Sequence, residues 1–140
     1  MLFIDSTALV GAADRGDERH ADGRALLTAL ASGALGQALV SDFVLDEVVT
    51  ILGRRTGVGP ARAVAFARGL LASPRVRMLY VEEDVVDQTL ESYRRFGPAL
   101  SFTDLTSVAL MRRAGCTMLY SHDSGFDRVP TIQRRTTPPS

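Results

Sequence analysis

Short apolar runs recur along the chain and end in polar residues. The first run starts at residue 1 and stops at Asp5, and others cover Gln37–Ser41 and Thr117–Tyr120. Continuous apolar runs of this length are typical of parallel strands that are buried on both faces. Val76–Val81 instead alternates apolar and polar residues, which predicts a strand nearer the sheet edge. Thr131–Arg135 is a candidate for a last strand.

Between these runs the apolar positions recur at helical spacing. They predict five helices, each followed by a glycine or a proline that ends it. The helical segments are Asp17–Ala31, Asp42–Arg55, Ala61–Ala72, Glu82–Phe96 and Ser101–Arg113. Helices that alternate with short strands predict an α/β fold, in which right-handed crossovers lay the helices on a parallel sheet.

The chain has the size and apolar content of one compact domain. It contains 140 residues, 46% of them hydrophobic, so we expect a single domain over 1–140 with a partly ordered tail from about residue 130. The single cysteine, Cys116, excludes an internal disulfide and suits a small core residue. No apolar segment reaches the roughly 18 residues of a membrane span, and the N-terminus lacks the basic start of a signal peptide. We therefore expect a cytoplasmic protein that does not bind membranes.

The charge pattern excludes several functions. Formal net charge is zero, and all 16 basic residues are arginine. A neutral chain has no strong overall field for nucleic acid, so a polyanion must be held by a local site. The absence of lysine excludes P-loop phosphate binding, Schiff-base chemistry and receiver-type phosphoacceptor domains.

Two predicted strands end in an aspartate beside hydroxyl residues. Asp5 precedes Ser6, and Asp123 follows Ser121. Ligands bind at the carboxyl ends of strands in open parallel α/β sheets, so we expect both acids at one sheet edge. The alternative for Asp5 is a purely structural cap on the next helix, because aspartate is a preferred N-cap residue.

Two predicted helices each add an acid. Glu47 lies on an apolar helix face, where an unpaired carboxylate would cost several kcal/mol unless it is protonated or bound to a cation. The alternative is that Glu47 pairs with an arginine at Arg54–Arg55. Asp104 lies in the first turn of a largely buried helix, where capping or helix-dipole stabilisation is the alternative, with Ser101 or Thr103 as the cap.

These four carboxylates together indicate a metal site. Acids that converge without a lysine repel one another, and a divalent cation relieves that repulsion. Oxygen-only ligands favour Mg²⁺ or Mn²⁺ over Zn²⁺. One or two such ions activate water and neutralise the charge that develops on a phosphoryl group. The residues therefore predict metal-dependent phosphodiester hydrolysis, and spacing alone does not separate it from a phosphatase.

The order and spacing of these motifs resemble the four acidic blocks of PIN-domain nucleases. The blocks are Phe3–Leu9, Ser41–Val48, Leu100–Asp104 and Leu119–Phe126. The compact length is most similar to the VapC-type toxins of bacterial toxin–antitoxin pairs. Each block is a weak signal, but four in the right order, from residue 2 to about 129, form a specific one.

This resemblance implies a PIN-like three-layer sandwich with a short, mostly parallel sheet flanked by helices. It implies an endoribonuclease that uses Mg²⁺ or Mn²⁺, dimerises through its helices and is silenced by a cognate antitoxin. The four acids of the family match Asp5, Glu47, Asp104 and Asp123. We expect Asp5 and Asp104 to hold the metal most directly, Asp123 to complete or share the site, and Glu47 to orient or deprotonate the attacking water.

The residues beside the acids carry further expectations. Ser6 and Ser121 match small hydroxyl residues of the family, which can hold ligand carboxylates or water. The family often carries another acid two residues beyond the fourth, and this chain has Gly125 there. Asp127 is a candidate substitute, although we favour a surface role for it.

Arginines are the candidates for contacts with RNA phosphates. The candidate pairs are Arg54–Arg55, Arg94–Arg95 and Arg112–Arg113. For at least two of these pairs, a solvated position at a helix C-terminus is the simpler explanation.

Two other functions are a PIN-like RNA-binding or scaffold module without turnover, and a metal-dependent phosphatase. The intact acids argue against the first, and Asp5-Ser6-Thr7 lacks the paired acid of the second.

Overall fold

A five-stranded sheet forms the centre of the fold in the computed structural model, which describes residues 1–140. Its strands are β1 Leu2–Ile4, β2 Ala38–Ser41, β3 Val76–Leu79, β4 Met118–Tyr120 and β5 Gln133–Arg135. They pair in the order β3-β2-β1-β4-β5, and every pair is parallel. The predicted α/β class and parallel sheet are confirmed, with β3 at one edge as its mixed pattern indicated.

Six α-helices flank the sheet. They are α1 Ser6–Ala13, α2 His20–Ala31, α3 Asp42–Arg54, α4 Gly59–Ala72, α5 Glu83–Phe96 and α6 Phe102–Ala114. A short 3-10 helix, Ser124–Arg128, follows β4. α1 packs on α2 and α3, α3 packs on α4, and α5 packs on α6. The five predicted helices are present, and α1 is an additional one.

The periodicity of the sequence misses α1 because this helix is buried on nearly every side. Its residues are small or apolar, so it has no polar face to mark a helical period. Asp5 is its N-cap residue. Gly23 of α2 packs directly on it, since a Cβ at Gly23 would lie 2.3 Å from the backbone nitrogen of Ala12. This close approach fixes α1, and with it the end of β1.

The strand order reverses between β1 and β4. The chain runs outward from β1 through β2 to β3, then returns to β4 on the other side of β1. Such a topological switch point opens a crevice at the carboxyl ends of the two strands. Asp5 directly follows β1, and Asp123 lies three residues beyond β4. The two strand-terminal acids therefore lie at this edge of the sheet, beside the switch point.

The interior is one continuous apolar cluster of 28 buried residues. Cys116 belongs to it, and burial raises the pKa of its thiol. This placement agrees with the expected core role.

None of the helices combines the length and the apolar character that crossing a membrane requires.

Candidate active site at the carboxyl ends of the central strands

Asp5 lies at the centre of the candidate site and is 2% exposed. Its Oδ2 accepts hydrogen bonds from Ser121 Oγ at 2.8 Å and from Thr7 Oγ1 at 3.0 Å. Burial raises the pKa of Asp5, the nearby charge of Glu47 raises it further, and the hydrogen bonds act in the opposite direction. Asp5 is thus both a helix cap and a buried acid, so the two interpretations of its sequence position are compatible.

Glu47 faces the site from α3 and is held by the helix that follows Asp5. Ser6 Oγ donates to Glu47 Oε1 at 2.6 Å. The alternative in which Glu47 pairs with an arginine is wrong. Arg55 instead donates to Asp14 Oδ2 at 3.1 Å and to Asp17 Oδ2 at 2.9 Å, which ties the end of α3 to the loop before α2. Glu47 therefore has a hydroxyl partner and no basic side chain as a partner.

Asp104 enters the site from the first turn of α6. Ser101 Oγ accepts from the Asp104 amide at 3.0 Å, and the Ser101 amide donates to Asp104 Oδ2 at 3.0 Å. The capping explanation is therefore confirmed, with Ser101 as the cap. Burial raises the pKa of Asp104, and the charges of Asp5 and Asp123 raise it further against the Ser101 hydrogen bonds. Asp104 therefore lies close enough to Asp5 and Asp123 for their negative charges to oppose its ionisation.

Asp123 lies in the loop after β4. Its Oδ1 accepts from the Gly125 amide at 2.8 Å, which caps the 3-10 helix. Its own amide donates to Ser121 Oγ at 3.0 Å. Because the same hydroxyl donates to Asp5, Ser121 joins the acid after β1 to the acid after β4.

Thr7 is a site residue that the sequence reasoning left out. Its Oγ1 donates to Asp5 Oδ2, accepts from the His122 amide at 2.9 Å and lies 3.3 Å from Ser121 Oγ. The only signal in the sequence was its position two residues beyond a strand-terminal acid. Distinguishing this role from ordinary helix capping requires the distance to β4, which no local pattern gives.

The backbone packing around Gly125 disfavours the additional acid of the family pattern. A Cβ at this position would lie 3.0 Å from Asp123 Oδ1 and 3.1 Å from the carbonyl oxygen of Ala99. Asp127 does not replace it. Its carboxylate is 56% exposed and accepts two hydrogen bonds from Arg134, at 2.8 and 2.9 Å. The surface role is therefore the one that the geometry supports.

The four acids have no basic partner. No arginine, histidine or N-terminal nitrogen lies within 4.0 Å of any of them, whereas Asp14, Asp17 and Asp127 all form ion pairs. Burial is the main cause of the raised pKa values of Asp5 and Asp104, and repulsion from neighbouring acids adds to it. A cation at this position would stabilise both ionised side chains.

The donor set fits a hard divalent cation in its chemistry, because it consists of carboxylate and hydroxyl oxygens. The side chains do not enclose an ion by themselves: no three acidic, histidine or cysteine side chains of the chain form a ligand cluster. Mg²⁺ keeps several waters and is usually held by only one or two carboxylates. An open set of acids is therefore suited to it.

Comparison with known proteins identifies the family to which this constellation belongs. The model of the PIN domain matches residues 2–132, which include all four acids. The chain belongs to the PIN-domain family. The resemblance that the four blocks indicated is confirmed.

Two curated PIN-domain relatives match nearly the whole chain. The 23S rRNA-specific endonuclease VapC20 of Mycobacterium tuberculosis is 30% identical over 136 residues, which cover 96% of this chain and 98% of VapC20. The VapC ribonuclease of Archaeoglobus fulgidus is 27% identical over 134 residues, which cover 94% and 82% of the two chains. The similarity to VapC-type proteins is thus confirmed at the level of sequence.

Solved structures confirm the PIN-like sandwich. The crystal structure of Mycobacterium tuberculosis VapC20, described as a sarcin-ricin loop cleaving toxin, superposes with a TM-score of 0.81 at 31% identity and covers 93% of this chain and 95% of that one. VapBC2 from Rickettsia felis, bound to a DNA fragment from its promoter, gives a TM-score of 0.69 at 14% identity and covers 96% and 98%. The second likeness concerns the fold alone.

Proposed function

We propose that this chain is a Mg²⁺- or Mn²⁺-dependent endoribonuclease and the toxin of a toxin–antitoxin pair. The proposal rests on one observation: four carboxylates without basic partners lie around the switch point of the sheet, where burial and neighbouring acids raise the pKa values of Asp5 and Asp104. Membership of the PIN family and 30% identity to a protein named as a 23S rRNA-specific endonuclease support it.

Each acid has a distinct role in this proposal. Asp5 and Asp104 hold the ion most directly, and Asp123 completes or shares the site. A bound ion supplies Lewis-acid stabilisation of the charge that develops on a phosphoryl group. Glu47 orients or deprotonates the attacking water. Since Ser6 Oγ donates to Oε1 of Glu47, Oε2 is the oxygen available to accept the proton.

RNA is the proposed substrate, and ribosomal RNA is the first class to test. Of the three arginine pairs, Arg54–Arg55 is partly engaged by acids of the loop before α2. Arg112–Arg113 lies in the last turn of α6, about 12–14 Å along the helix axis from Asp104 at 1.5 Å per residue. Arg94–Arg95 ends α5 just before the loop at Ala99 that contacts Gly125. We therefore propose Arg94–Arg95 as the pair that contacts RNA phosphates.

Induced expression tests the proposed function. Wild type should arrest growth, and Asp5→Asn and Asp104→Asn should not, because each removes one carboxylate while keeping a side chain of the same shape. Asp87→Asn is the matched control, since Asp87 is an exposed acid of α5 outside the site, and it should arrest growth like wild type. Arrest by either site variant at wild-type strength would contradict the mechanism.

An antitoxin partner and a homodimer complete the proposal. The similar VapC20 is described as a toxin, which supports a cognate inhibitor for this chain. Co-expression of the protein encoded by the neighbouring reading frame should restore growth.

For the homodimer, light scattering should give twice the chain mass of 15.1 kDa. A mass equal to one chain at micromolar concentration would refute the dimer.

A further inference from the structure

One arginine fixes the loop that carries Asp123. Arg134 of β5 donates from Nη1 to the carbonyl oxygen of Ser121 at 3.2 Å. It also donates from Nε and Nη2 to the two carboxylate oxygens of Asp127, at 2.8 and 2.9 Å. Its side chain is 19% exposed. A single guanidinium therefore joins β5, the end of β4 and the 3-10 helix.

Ser121 transmits this contact to the acids. Its carbonyl accepts from Arg134, and its amide donates to the carbonyl oxygen of Arg135 at 3.0 Å. Its hydroxyl donates to Asp5 and accepts from the amide of Asp123. Ser121 is fully buried, and its single hydroxyl contacts both Asp5 and Asp123.

Two simpler roles for the Asp127–Arg134 pair are stabilising the fold and binding RNA, and the geometry disfavours both. Asp127 is 56% exposed, so we expect its ion pair with Arg134 to contribute only modestly to global stability. An RNA phosphate would have to compete for nitrogens that already donate to Asp127 and Ser121. What the pair does control is the geometry of the Ser121–Asp127 loop.

We propose that Arg134, held by Asp127, is a positioning residue that fixes Ser121 and thereby aligns Asp5 and Asp123 on one ion. The inference rests on the proposed function, because that function gives the two acids their shared ion. Groups that hold metal ligands from outside typically change metal affinity or activity by about 10–100-fold when they are removed.

The test compares Arg134→Gln and Asp127→Asn with the control Arg135→Gln. The control removes the same charge one residue along β5, where only the backbone contacts Ser121. Three measurements apply: hydrogen exchange of the segment 119–128 without metal, Mn²⁺ binding by calorimetry, and the kinetics of cleavage of ribosomal RNA. Asp127→Asn alters an exposed side chain, so it gives a folded variant even if Arg134→Gln does not fold.

We expect both test variants to exchange faster in this segment, to bind Mn²⁺ about tenfold more weakly and to lose about tenfold in kcat with KM nearly unchanged. The double variant should be no worse than Arg134→Gln alone, because that substitution already removes the contact that Asp127→Asn weakens. Unchanged exchange and Mn²⁺ affinity would overturn the inference, as would a raised KM with unchanged kcat. Wild type and Arg135→Gln must cleave RNA; if they do not, the proposed function fails, whereas the exchange and Mn²⁺ results still decide the positioning role.

Discussion

Asp5 is a buried acid whose ionisation opposes folding, at the position where we propose a metal site. It is buried beside Glu47, and its pKa is raised. Ionising it in the folded protein therefore costs free energy, which the hydrogen bonds from Ser121 and Thr7 offset only in part. The sequence identified Asp5 as an acid at a strand end but left open whether it caps a helix or binds a ligand.

Replacing Asp5 by asparagine should stabilise the metal-free protein at neutral pH. Asparagine is an equally good N-cap and keeps an acceptor for Ser121 and Thr7, while the buried charge is removed. We expect Tm in EDTA to rise by about 3 °C or more, which corresponds to ~1 kcal/mol in a domain of this size. A lower Tm for Asp5→Asn would show that the carboxylate stabilises the fold.

The same variant should give a characteristic pH dependence. The raised pKa of Asp5 means that folding favours its protonated form over the charged one. The stabilisation that this gives is complete below the unfolded-state pKa of about 3.9. It is lost as pH rises through the folded-state pKa, where Asp5 becomes charged. The Tm advantage of Asp5→Asn should therefore be small near pH 4 and grow with pH. Asp127→Asn should give the opposite pH dependence of stability. Arg134 lowers the pKa of Asp127, and the stabilisation that this gives the wild type is lost on acidification.

At the scale of elements, the contact between α1 and α2 supports the site. α1 carries Ser6 and Thr7, and Gly23 of α2 lies against its backbone at Ala12. The sequence could not show this contact, because a helix buried on all sides has no amphipathic period and a glycine inside a helix is usually only a weak position.

Two glycine substitutions test this packing. Gly23→Ala should destabilise the protein by about 2–3 kcal/mol in urea denaturation, because the added Cβ overlaps the backbone of Ala12. Gly69→Ala in α4 is the matched control, since nothing lies within 4 Å of a Cβ there, and it should stabilise by about 0.5–1 kcal/mol. Equal effects of the two substitutions would refute the close packing of α1 on α2.

At the scale of the whole molecule, the sequence predicted the architecture better than the contacts. Buried parallel strands are readable as apolar runs, and their alternation with helices gave the fold class and the edge shared by Asp5 and Asp123. The sequence did not show which side chains contact one another. Ser6 contacts Glu47 across 41 residues, and Arg134, in the segment predicted as a candidate last strand before the tail, pairs in β5 and reaches Ser121. Such pairings depend on strand order, which local patterns do not specify.

Because the molecule has zero net charge, the proposed function requires the site itself to recognise RNA. Without a strong overall field, the proposed binding would depend on a few phosphate contacts and on the proposed ion. Metal dependence and the identity of the acids are therefore the central points, and one measurement addresses both.

That measurement is cleavage of ribosomal RNA by the purified wild type and Asp104→Asn, each with Mn²⁺ and with EDTA. Asparagine can still accept from the Ser101 amide, so the start of α6 should stay intact. Wild type should cleave with Mn²⁺ and stop in EDTA. Asp104→Asn should be at least about 100-fold slower, because losing a direct ligand costs no less than losing a group that supports one. Cleavage by Asp104→Asn at the wild-type rate, or undiminished cleavage in EDTA, would contradict a metal-dependent site built on these acids.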